Sequence, residues 1–291
     1  MPSPNRNVSA TALQIGSEII LFDCGEGTQR QFMKSSASFM KVRKVFVTHF
    51  HADHFLGIPG MIQSMNFSGR EEALEIFGPP GLLDVVGCLL NVGYFYPNFE
   101  VRVAEMKGGD VAKFPAYTVE AVEMDHNVPS IGFVLRERKR TGRFYPERAE
   151  RLGVPKGPLF RALQQGKDVR VGGRTVTPDM VLGPPRPGLK IAYSGDTRPC
   201  DRFVEAARNA DVLIHEATVD SSLENKASEF GHSTAKDAAT VAARAEVSVL
   251  YLNHISSRYE DGTVLEEEAK AVFPRARVTE DLMSVIVRAR A

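Results

Sequence analysis

The sequence predicts an α+β protein in which two mixed β-sheets pack face to face, with helices on their outer faces. Two patterns support this prediction: the first half is rich in short apolar strands, and the second half alternates regularly between strands and helices. Polar side chains also follow directly after several strands, as they do in catalytic sites on such scaffolds. We expect the 291 residues to form one domain over 1–291.

In the first half, apolar runs and glycine-proline signals define the elements. Strands are expected at 8–15, 17–22, 44–48, 74–77, 99–104, 117–124 and 131–136. Helices are expected at 25–35, at 55–66, and from the Gly-Pro-Pro-Gly run at 78–81 to about residue 91.

The second half contains the regular alternation. Strands are expected at 189–194, 211–215, 247–253, 276–279 and 283–288, with helices at 201–208, 234–245 and 263–272. Ser233 or Thr234 is a suitable N-cap for the helix at 234–245, because Asp237 lies three residues beyond Thr234 and could complete a capping box.

Residues 137–188 differ from the rest of the chain. They are basic, rich in glycine and proline, and poor in long apolar runs. We interpret this segment as an insertion that protrudes from the domain and has no core of its own. Its charges could grip a polyanion, or they could form a solvated surface with helical ion pairs. The candidate patch consists of Arg136, Arg138, Lys139, Arg140, Arg143, Arg148, Arg151 and Lys156, diluted by only Glu137, Glu147 and Glu150.

Composition limits the classes of partner and the location. Basic and acidic residues both number 36, so the chain has no global attraction for nucleic acid, and any polyanion must be held by local patches. No stretch approaches about eighteen consecutive apolar residues, and the N-terminus lacks an apolar signal region. Cys24, Cys88 and Cys200 are too few and too widely spaced for a disulfide framework. We therefore expect a cytoplasmic protein that does not contact membranes.

The densest chemical signal is the run of residues 48–54, which places three histidines and one aspartate directly after an apolar strand. Imidazole and carboxylate groups are ligands that Zn²⁺ favours. In an extended turn, His49 and His51 point the same way. Asp53 and His54 then begin the next helix, so this one motif could serve two adjacent ions.

Further candidate ligands lie elsewhere in the chain. Most follow a predicted strand, and His232 stands at an expected helix start. Because side chains at strand ends meet around one cleft, we expect these residues to lie together. They are His126, Asp196, His215, His232 and His254.

The pattern of residues 49–54, together with the later His126, Asp196 and His254, resembles that of the metallo-β-lactamase superfamily. The resemblance implies an αβ/βα sandwich with a dinuclear metal site on one edge. It does not specify a substrate, because lactamases, thioesterases, sulfatases and nucleases share the signature.

Narrower motifs resemble those of the ribonuclease Z family over nearly the whole chain. They lie at 4–7, 22–29, 194–198, 215–218 and 232–234, and the segment 153–166 resembles the root of a flexible tRNA-binding arm. The family usually has a further strand before the loop at 4–7. We therefore expect that a strand is missing or that the true start lies upstream.

The resemblance assigns roles to the candidate ligands. His49, His51 and His126 would hold one Zn²⁺, Asp53, His54 and His254 would hold the other, and Asp196 would bridge the two. Asp53 would also be the general base, or it would be a purely structural ligand. The same ligand types would accept Mn²⁺.

Other side chains are expected to act beside the metals. His232, oriented by Glu216, would donate a proton to the leaving ribose 3′ oxygen, unless both residues only stabilise the sheet edge. His215 would support a ligand or pack in the core. Arg6 and Asn7 are candidate contacts to phosphate or sugar.

The resemblance implies a zinc-dependent endoribonuclease that cleaves precursor tRNA at its 3′ end, leaving a 3′-hydroxyl on the tRNA and a 5′-phosphate on the trailer. The insertion would hold tRNA by its shape, and in a homodimer it would serve the partner subunit's site. Two alternatives stay open: a small-molecule phosphodiesterase or other hydrolase on the same metal site, and an RNA-binding module without activity.

Overall fold

The computed structural model describes residues 3, 6–139 and 141–288, so the motif residues Pro4 and Asn5 and the basic Arg140 lie outside the described residues. Elements are numbered in chain order. The strands are β1 (Thr11–Ile15), β2 (Glu18–Phe22), β3 (Val42–Phe46), β4 (Leu74–Gly78), β5 (Val101–Glu105), β6 (Val111–Lys113), β7 (Tyr117–Glu123), β8 (Ile131–Glu137), β9 (Val169–Val171), β10 (Arg174–Val176), β11 (Lys190–Tyr193), β12 (Val212–Glu216), β13 (Leu250–Asn253) and β14 (Ala276–Val278). The helices are α1 (Thr28–Lys34), α2 (Ala52–Phe55), α3 (Ile58–Phe67), α4 (Leu82–Leu90), α5 (Pro146–Arg151), α6 (Pro158–Gln164), α7 (Pro178–Val181), α8 (Asp201–Ala207), α9 (Glu224–Phe230), α10 (Ala235–Arg244) and α11 (Thr263–Val272).

The strands form two large mixed sheets and one small hairpin. The first sheet has the order β1-β2-β3-β4-β5, and only the β1-β2 pair is antiparallel. The second sheet has the order β14-β13-β12-β11-β8-β7-β6, which is parallel from β11 to β14 and antiparallel elsewhere. Strands β9 and β10 pair with each other.

The two sheets share an aromatic core. The Phe22 ring of the first sheet stacks on Phe133 and Tyr193 of the second, with centroid distances of 5.8 and 5.3 Å. Helices α3 and α4 bury apolar side chains on the outer side of the first sheet, and α8, α10 and α11 do so on the second. Face-to-face sheets with helices outside are therefore confirmed.

Most elements match the sequence-based expectations to within a few residues. The capping box of α10 is confirmed, because Thr234 Oγ1 accepts from the Asp237 backbone and the Asp237 carboxylate accepts from Thr234 N. The strand expected at 283–288 is wrong, since this stretch pairs with no strand in the described structure. Strand β6 and helix α9 escaped prediction because both are short and largely exposed. Within the described ranges, no helix has the length and apolarity that crossing a bilayer requires.

The insertion is more ordered than its sequence suggests. It contains α5, α6, α7 and the β9-β10 hairpin, which enclose a small apolar cluster, so the expectation that it lacks a core was wrong. These apolar residues are isolated in the sequence and form no periodic run, which explains the error. The cluster consists of Ala149, Val154, Leu163, Val169, Val176 and Val181. That the segment protrudes as an arm stays a prediction.

Candidate metal centre

The residues of the candidate site come from strand ends at one edge of both sheets. The loop after β3 carries His49 and His51, and α2 starts with Asp53 and His54, as expected. From the second sheet, the segments after β7, β11 and β13 deliver the other candidate ligands. These are His126, Asp196 and His254.

A glycine allows the two sheets to approach at this edge. Gly195 has a φ of +62°, and a Cβ at this position would lie 2.7 Å from Thr48 Cγ2. A side chain here would separate the β11 loop from the histidine motif. Gly195 therefore lets the neighbouring Asp196 reach the ligands of the first sheet.

All seven predicted ligands lie together. Two groups of potential ligand atoms form, each with all its atoms within 4.8 Å of one another: His49, His51, His126 and Asp196 in one, and Asp53, His54 and His254 in the other. The Asp196 Oδ2 atom lies between the groups, 3.3 Å from His54 Nε2 and 3.5 Å from His254 Nε2. A third, overlapping group consists of Asp196, His232 and His254. How the ligands divide between ions stays a prediction.

The donor set fits a divalent metal. Three buried atoms at this point, His49 Nε2, His54 Nε2 and Asp196 Oδ1, have no hydrogen-bond partner among the described residues. Buried polar groups are normally paired, because an unpaired one keeps the full cost of leaving water. Cations bound in the ligand groups that contain these atoms would satisfy all three, and the fold therefore supports divalent metal binding.

A buried carboxylate on the first sheet fixes the orientation of two ligands. Asp23 Oδ2 accepts from His54 Nδ1 at 2.8 Å and from the Tyr193 hydroxyl at 2.8 Å. Its Oδ1 accepts from Thr48 Oγ1. Because this hydroxyl has given its one proton to Asp23, it acts as the acceptor for His49 Nδ1, which lies 2.9 Å away. Because both Nδ1 atoms carry protons, both Nε2 atoms keep the lone pair that a metal needs.

A second buried carboxylate, Glu216, orients two histidines on the other sheet. Glu216 Oε1 accepts from His232 Nδ1 at 2.8 Å. Its Oε2 accepts from Thr218 Oγ1 at 2.8 Å, and this hydroxyl lies 3.1 Å from His254 Nδ1. Thr218 therefore accepts from His254 Nδ1, which leaves Nε2 of that ligand free for a metal.

His51 and His126 complete one group of ligands. The Gly231 carbonyl accepts from His126 Nδ1 at 2.7 Å, and His126 Nε2 lies 3.3 Å from His51 Nδ1. Since the carbonyl can only accept, His126 has a lone pair on Nε2. His126 Nε2 and His51 Nδ1 are thus directed at the same region of the cleft.

Burial and neighbouring charge set the protonation states in the site. Burial, aided by the nearby histidines, lowers the pKa of His49 to about 2. Burial also opposes the charged form of His54, but Asp196 and Asp23 outweigh it and raise its pKa well above the usual value. The two carboxylates therefore favour positive charge at this position, and a cation on His54 Nε2 would supply that charge in place of a second ring proton.

The pKa of His232 is raised, whereas the pKa values of most other histidines here are lowered. Burial disfavours its charged form, but the hydrogen bond and the charge of Glu216 raise its pKa to about 9. Its Nε2 makes no hydrogen bond within the part of the chain that the structure describes, and its ring stacks on His254 at 5.4 Å. Glu216 therefore favours the protonated form of His232 and leaves Nε2 directed away from the carboxylate.

Of the other predicted site residues, three line the cleft and one is buried outside the candidate metal groups. The contact with His254, whose Nε2 lies 3.5 Å from Asp53 Oδ2, lowers the pKa of Asp53 well below its usual value, and a cation held between the two groups would have the same effect. His215 is buried, its Nδ1 donates to the Glu216 carbonyl, and it belongs to none of the candidate metal groups. Arg6 and Asn7 line the same cleft as the ligands, but Arg6 Nη1 donates to the Thr279 carbonyl and Asn7 N donates to Asp281.

Sequence patterns did not reveal the residues that orient the candidate ligands. Asp23 stood in a recognised motif, but nothing in the sequence indicated that it would contact Thr48, His54 and Tyr193. One available signal was its position as a charged residue directly after the apolar strand β2. Thr218 gave no comparable signal, because its link to His254 depends on the pairing of β12 with β13.

The model of the β-lactamase superfamily domain matches residues 18–147 and 165–255. Curated relatives carry a narrower name. Ribonuclease Z of Methanothermobacter thermautotrophicus is 49% identical over 289 residues, which is 99% of this chain and 94% of that protein. Ribonuclease Z of Methanosarcina acetivorans is 47% identical and covers 98% of this chain and 94% of its own length.

The chain belongs to the ribonuclease Z family. Among solved structures, the short form of human tRNase Z has a TM-score of 0.71 and 28% identity, with coverage of 99% of this chain and 95% of that one. A diphosphatase of the PhnP family has a TM-score of 0.62 at 15% identity, covering 96% of this chain and 84% of that one. This second likeness shows the fold alone.

Proposed function

We propose that this ribonuclease Z family member is a metal-dependent endoribonuclease that cleaves precursor tRNA at its 3′ end. The products would be a tRNA with a 3′-hydroxyl and a trailer with a 5′-phosphate. The observation that carries this proposal is the convergence of seven histidine and aspartate ligands in one cleft, in a chain nearly half identical to proteins named ribonuclease Z. The small-molecule phosphodiesterase is the alternative that the tests below separate from it.

We propose two Zn²⁺ ions as the cofactor, with Mn²⁺ as a substitute. The first would be held by His49, His51 and His126, and the second by Asp53, His54 and His254, with Asp196 shared between them. Such ions would lower the pKa of an attacking water and neutralise charge on the scissile phosphate. Asp53, despite its lowered pKa, would accept the proton of that water.

His232 would act on the leaving group. The ribose 3′ oxygen needs a proton when its bond to phosphorus breaks, and the contact with Glu216 raises the pKa of His232, which favours a protonated ring. Glu216 holds Nδ1, so Nε2 is the nitrogen that would donate. We therefore assign proton donation to His232 and its positioning to Glu216.

Substrate contacts would come from two regions. Arg6 and Asn7 line the cleft and would contact phosphate or sugar near the cut. The basic insertion would grip the tRNA backbone away from the cut. Some of its charges are already paired, such as Lys156 with Glu150 at 3.0 Å, so only a subset is available. We further propose a homodimer in the cytoplasm, in which each insertion serves the partner subunit's site.

Cleavage of an end-labelled precursor tRNA tests the function. With added Zn²⁺ or Mn²⁺, the wild type should make a single cut just after the discriminator base, and Asp53→Ala should abolish it. Asp201→Ala is the matched control, because Asp201 lies on the surface in an exposed ion pair with Arg244. A metal-loaded protein that cuts bis(p-nitrophenyl) phosphate but no tRNA would favour the small-molecule phosphodiesterase.

A chemical comparison tests the role of His232. His232→Ala should slow tRNA cleavage by roughly 100-fold or more, the usual range for loss of a general acid. Hydrolysis of bis(p-nitrophenyl) phosphate should change little, because p-nitrophenolate leaves without a proton. Equal losses on both substrates would mean that His232 supports the site rather than the leaving group.

A further inference from the structure

Arg198 joins three segments that surround the candidate metal centre. Its backbone N–H donates to the Asp125 carbonyl at 2.7 Å, and its Nη1 donates to the Asp125 carboxylate at 3.1 Å. Its Nη2 donates to Asn127 Oδ1 at 2.6 Å, and its Nε donates to the Ser228 carbonyl at 2.6 Å. The guanidinium therefore links the loop after β11 to the loop that carries His126 and to helix α9.

Helix α9 depends on these polar contacts because it has little apolar packing. Of its seven residues, only Ala227 is buried in the described structure. The carbonyls at the end of a helix have no partner within the helix and need donors from elsewhere. Arg198 supplies one donor to Ser228, and Asn127 Nδ2 supplies another to the Glu229 carbonyl at 2.9 Å. Removal of the guanidinium should therefore loosen α9 locally.

The end of α9 carries groups that lie at the cleft. The Gly231 carbonyl accepts from His126 Nδ1, and the His232 backbone N–H donates to the Ala227 carbonyl at 2.8 Å. Gly231 has a φ of +79°, and a Cβ on it would lie 2.6 Å from His126 Nδ1, so only a glycine permits this close approach. The position of α9 thus sets where the His232 backbone lies relative to His126.

We infer that Arg198 is a positioning residue that holds α9 against the His126 loop and thereby places His232 in the cleft. The inference rests on the proposed function, because His232 is the group assigned there to protonate the leaving oxygen. Glu216 holds the side chain of His232 through Nδ1, and α9 holds the backbone before it. A misplacement of about 1 Å can slow catalysis by roughly 100-fold, so the second support matters for the rate.

The contacts of Arg198 favour this role over direct contact with phosphate. All three of its side-chain nitrogens donate to groups of the chain, its side chain is 25% exposed, and the Asp125 carboxylate offsets its charge. His232 lines the cleft, whereas Arg198 is not among the described residues that line it. A phosphate in the cleft would therefore have to displace these partners to reach the guanidinium.

Steady-state cleavage of precursor tRNA by the full, zinc-saturated chain tests the inference. Arg198→Met should lower kcat by roughly 10- to 100-fold and leave KM nearly unchanged, because it displaces a catalytic group without removing a substrate contact. Arg198→Lys should be about as slow, since lysine keeps the charge but lacks the planar fork that reaches three partners. Hydrolysis of bis(p-nitrophenyl) phosphate should change little in both variants. Arg202→Met is the matched control, because Arg202 lies on α8 in an exposed ion pair with Glu123, and it should behave as the wild type.

A double mutant shows whether Arg198 acts through His232. Added to His232→Ala, Arg198→Met should slow tRNA cleavage by less than about 3-fold further, because the group that it positions is already absent. Losses that multiply independently would mean that Arg198 acts elsewhere and would overturn the inference.

Hydrogen exchange measures the hold on α9 without any substrate. The backbone amides of residues 224–232 should exchange at least about 10-fold faster in Arg198→Met than in the wild type, as expected for the loss of hydrogen bonds from a charged donor. Asn127→Ala, at an exposed position, should loosen the same amides to a smaller degree, so the inference can still be tested if Arg198→Met folds poorly. Unchanged thermal unfolding and metal content would show which variants fold.

The other results separate the inference from the proposed function. Unchanged exchange at 224–232, a wild-type rate in Arg198→Lys, or a rise in KM at constant kcat would each overturn the positioning role. If the wild type still cut precursor tRNA in that case, the proposed function would stand. A wild type that never cleaves tRNA, with faster exchange in Arg198→Met, would refute the function and leave the inferred hold of Arg198 on α9 standing.

Discussion

Two buried carboxylates, Asp23 and Glu216, occupy equivalent positions on the two sheets but differ in what they orient. Each follows or ends a strand, and each accepts from a histidine directly and from a threonine hydroxyl that contacts a second histidine. On the first sheet both of these histidines are candidate ligands. On the second sheet only His254 belongs to the predicted set of seven, and His232 is a half-buried histidine at the cleft whose pKa is raised by Glu216.

The difference indicates how one arrangement serves two purposes. Asp23 is fully buried and also accepts from Tyr193 in the core between the sheets, so it would couple the geometry of a bound metal to folding. Glu216 is equally buried but extends its influence to the cleft through His232. We therefore expect damage to Asp23 to appear first in metal content and stability, and damage to Glu216 to appear first in catalysis.

Removal of metal should have the largest effect on stability, because it affects both halves at once. A ligand at about 1,000 times its dissociation constant stabilises a protein by roughly 4 kcal/mol, so chelation should lower the unfolding midpoint by about 10 °C. Added Zn²⁺ should restore it, with about two ions bound per chain. Thermal unfolding and metal analysis check this. An unchanged midpoint would mean that the unpaired atoms His49 Nε2 and His54 Nε2 are satisfied in some other way.

Asp23→Asn should have the next largest effect. All the groups around its carboxylate donate, so the new amide NH₂ must face a donor whichever way it turns. We expect about 3 kcal/mol lower stability, as for lost hydrogen bonds to a buried charge. Metal affinity should fall by roughly 10- to 100-fold, as for other partners of ligands. Denaturant unfolding and metal titration measure both, and Asp201→Asn is the exposed control. Normal metal affinity would remove the proposed coupling.

The sequence predicted the candidate ligands of this site better than the residues that orient them. The ligands were identifiable because histidine and aspartate are dense at residues 49–54 and recur after other apolar runs. Asp23, Thr48 and Thr218 were not, since their roles depend on contacts across the sheets that no local pattern encodes.

The fold, too, was predicted well only where a local sequence pattern encodes it. Strands β2, β3 and β8 were predicted because buried strands form apolar runs, and α10 because its capping box is local. The core of the insertion was missed because its apolar residues come from separate short elements. The error at 283–288 has the opposite cause, since an apolar run there has no strand to pair with in the described structure.

Glu216→Gln should sharpen the comparison by separating catalysis from metal binding. Glu216 Oε1 accepts from Thr197 N and His232, and Oε2 accepts from Thr218, so the amide NH₂ again meets a donor. His232 would lose the partner that keeps it protonated. We expect tRNA cleavage to fall by about 100-fold, while most of the bound metal is retained. Loss of metal as complete as in Asp23→Asn would mean that the two carboxylates have the same role.

The smallest and most discriminating change is the removal of one hydroxyl from each half. Thr48→Val and Thr218→Val each delete the oxygen that accepts from a ligand's Nδ1, His49 in the first case and His254 in the second. Thr48 and His49 are fully buried, so the Nδ1 proton of His49 would be left unpaired, and stability should fall by about 1–3 kcal/mol. Thr218 and His254 are only partly buried, so water can replace the lost oxygen and the cost should be below about 1 kcal/mol. Paired measurements of zinc affinity and unfolding would decide between them. Equal effects would mean that the difference between the two halves depends on His232 alone and not on burial.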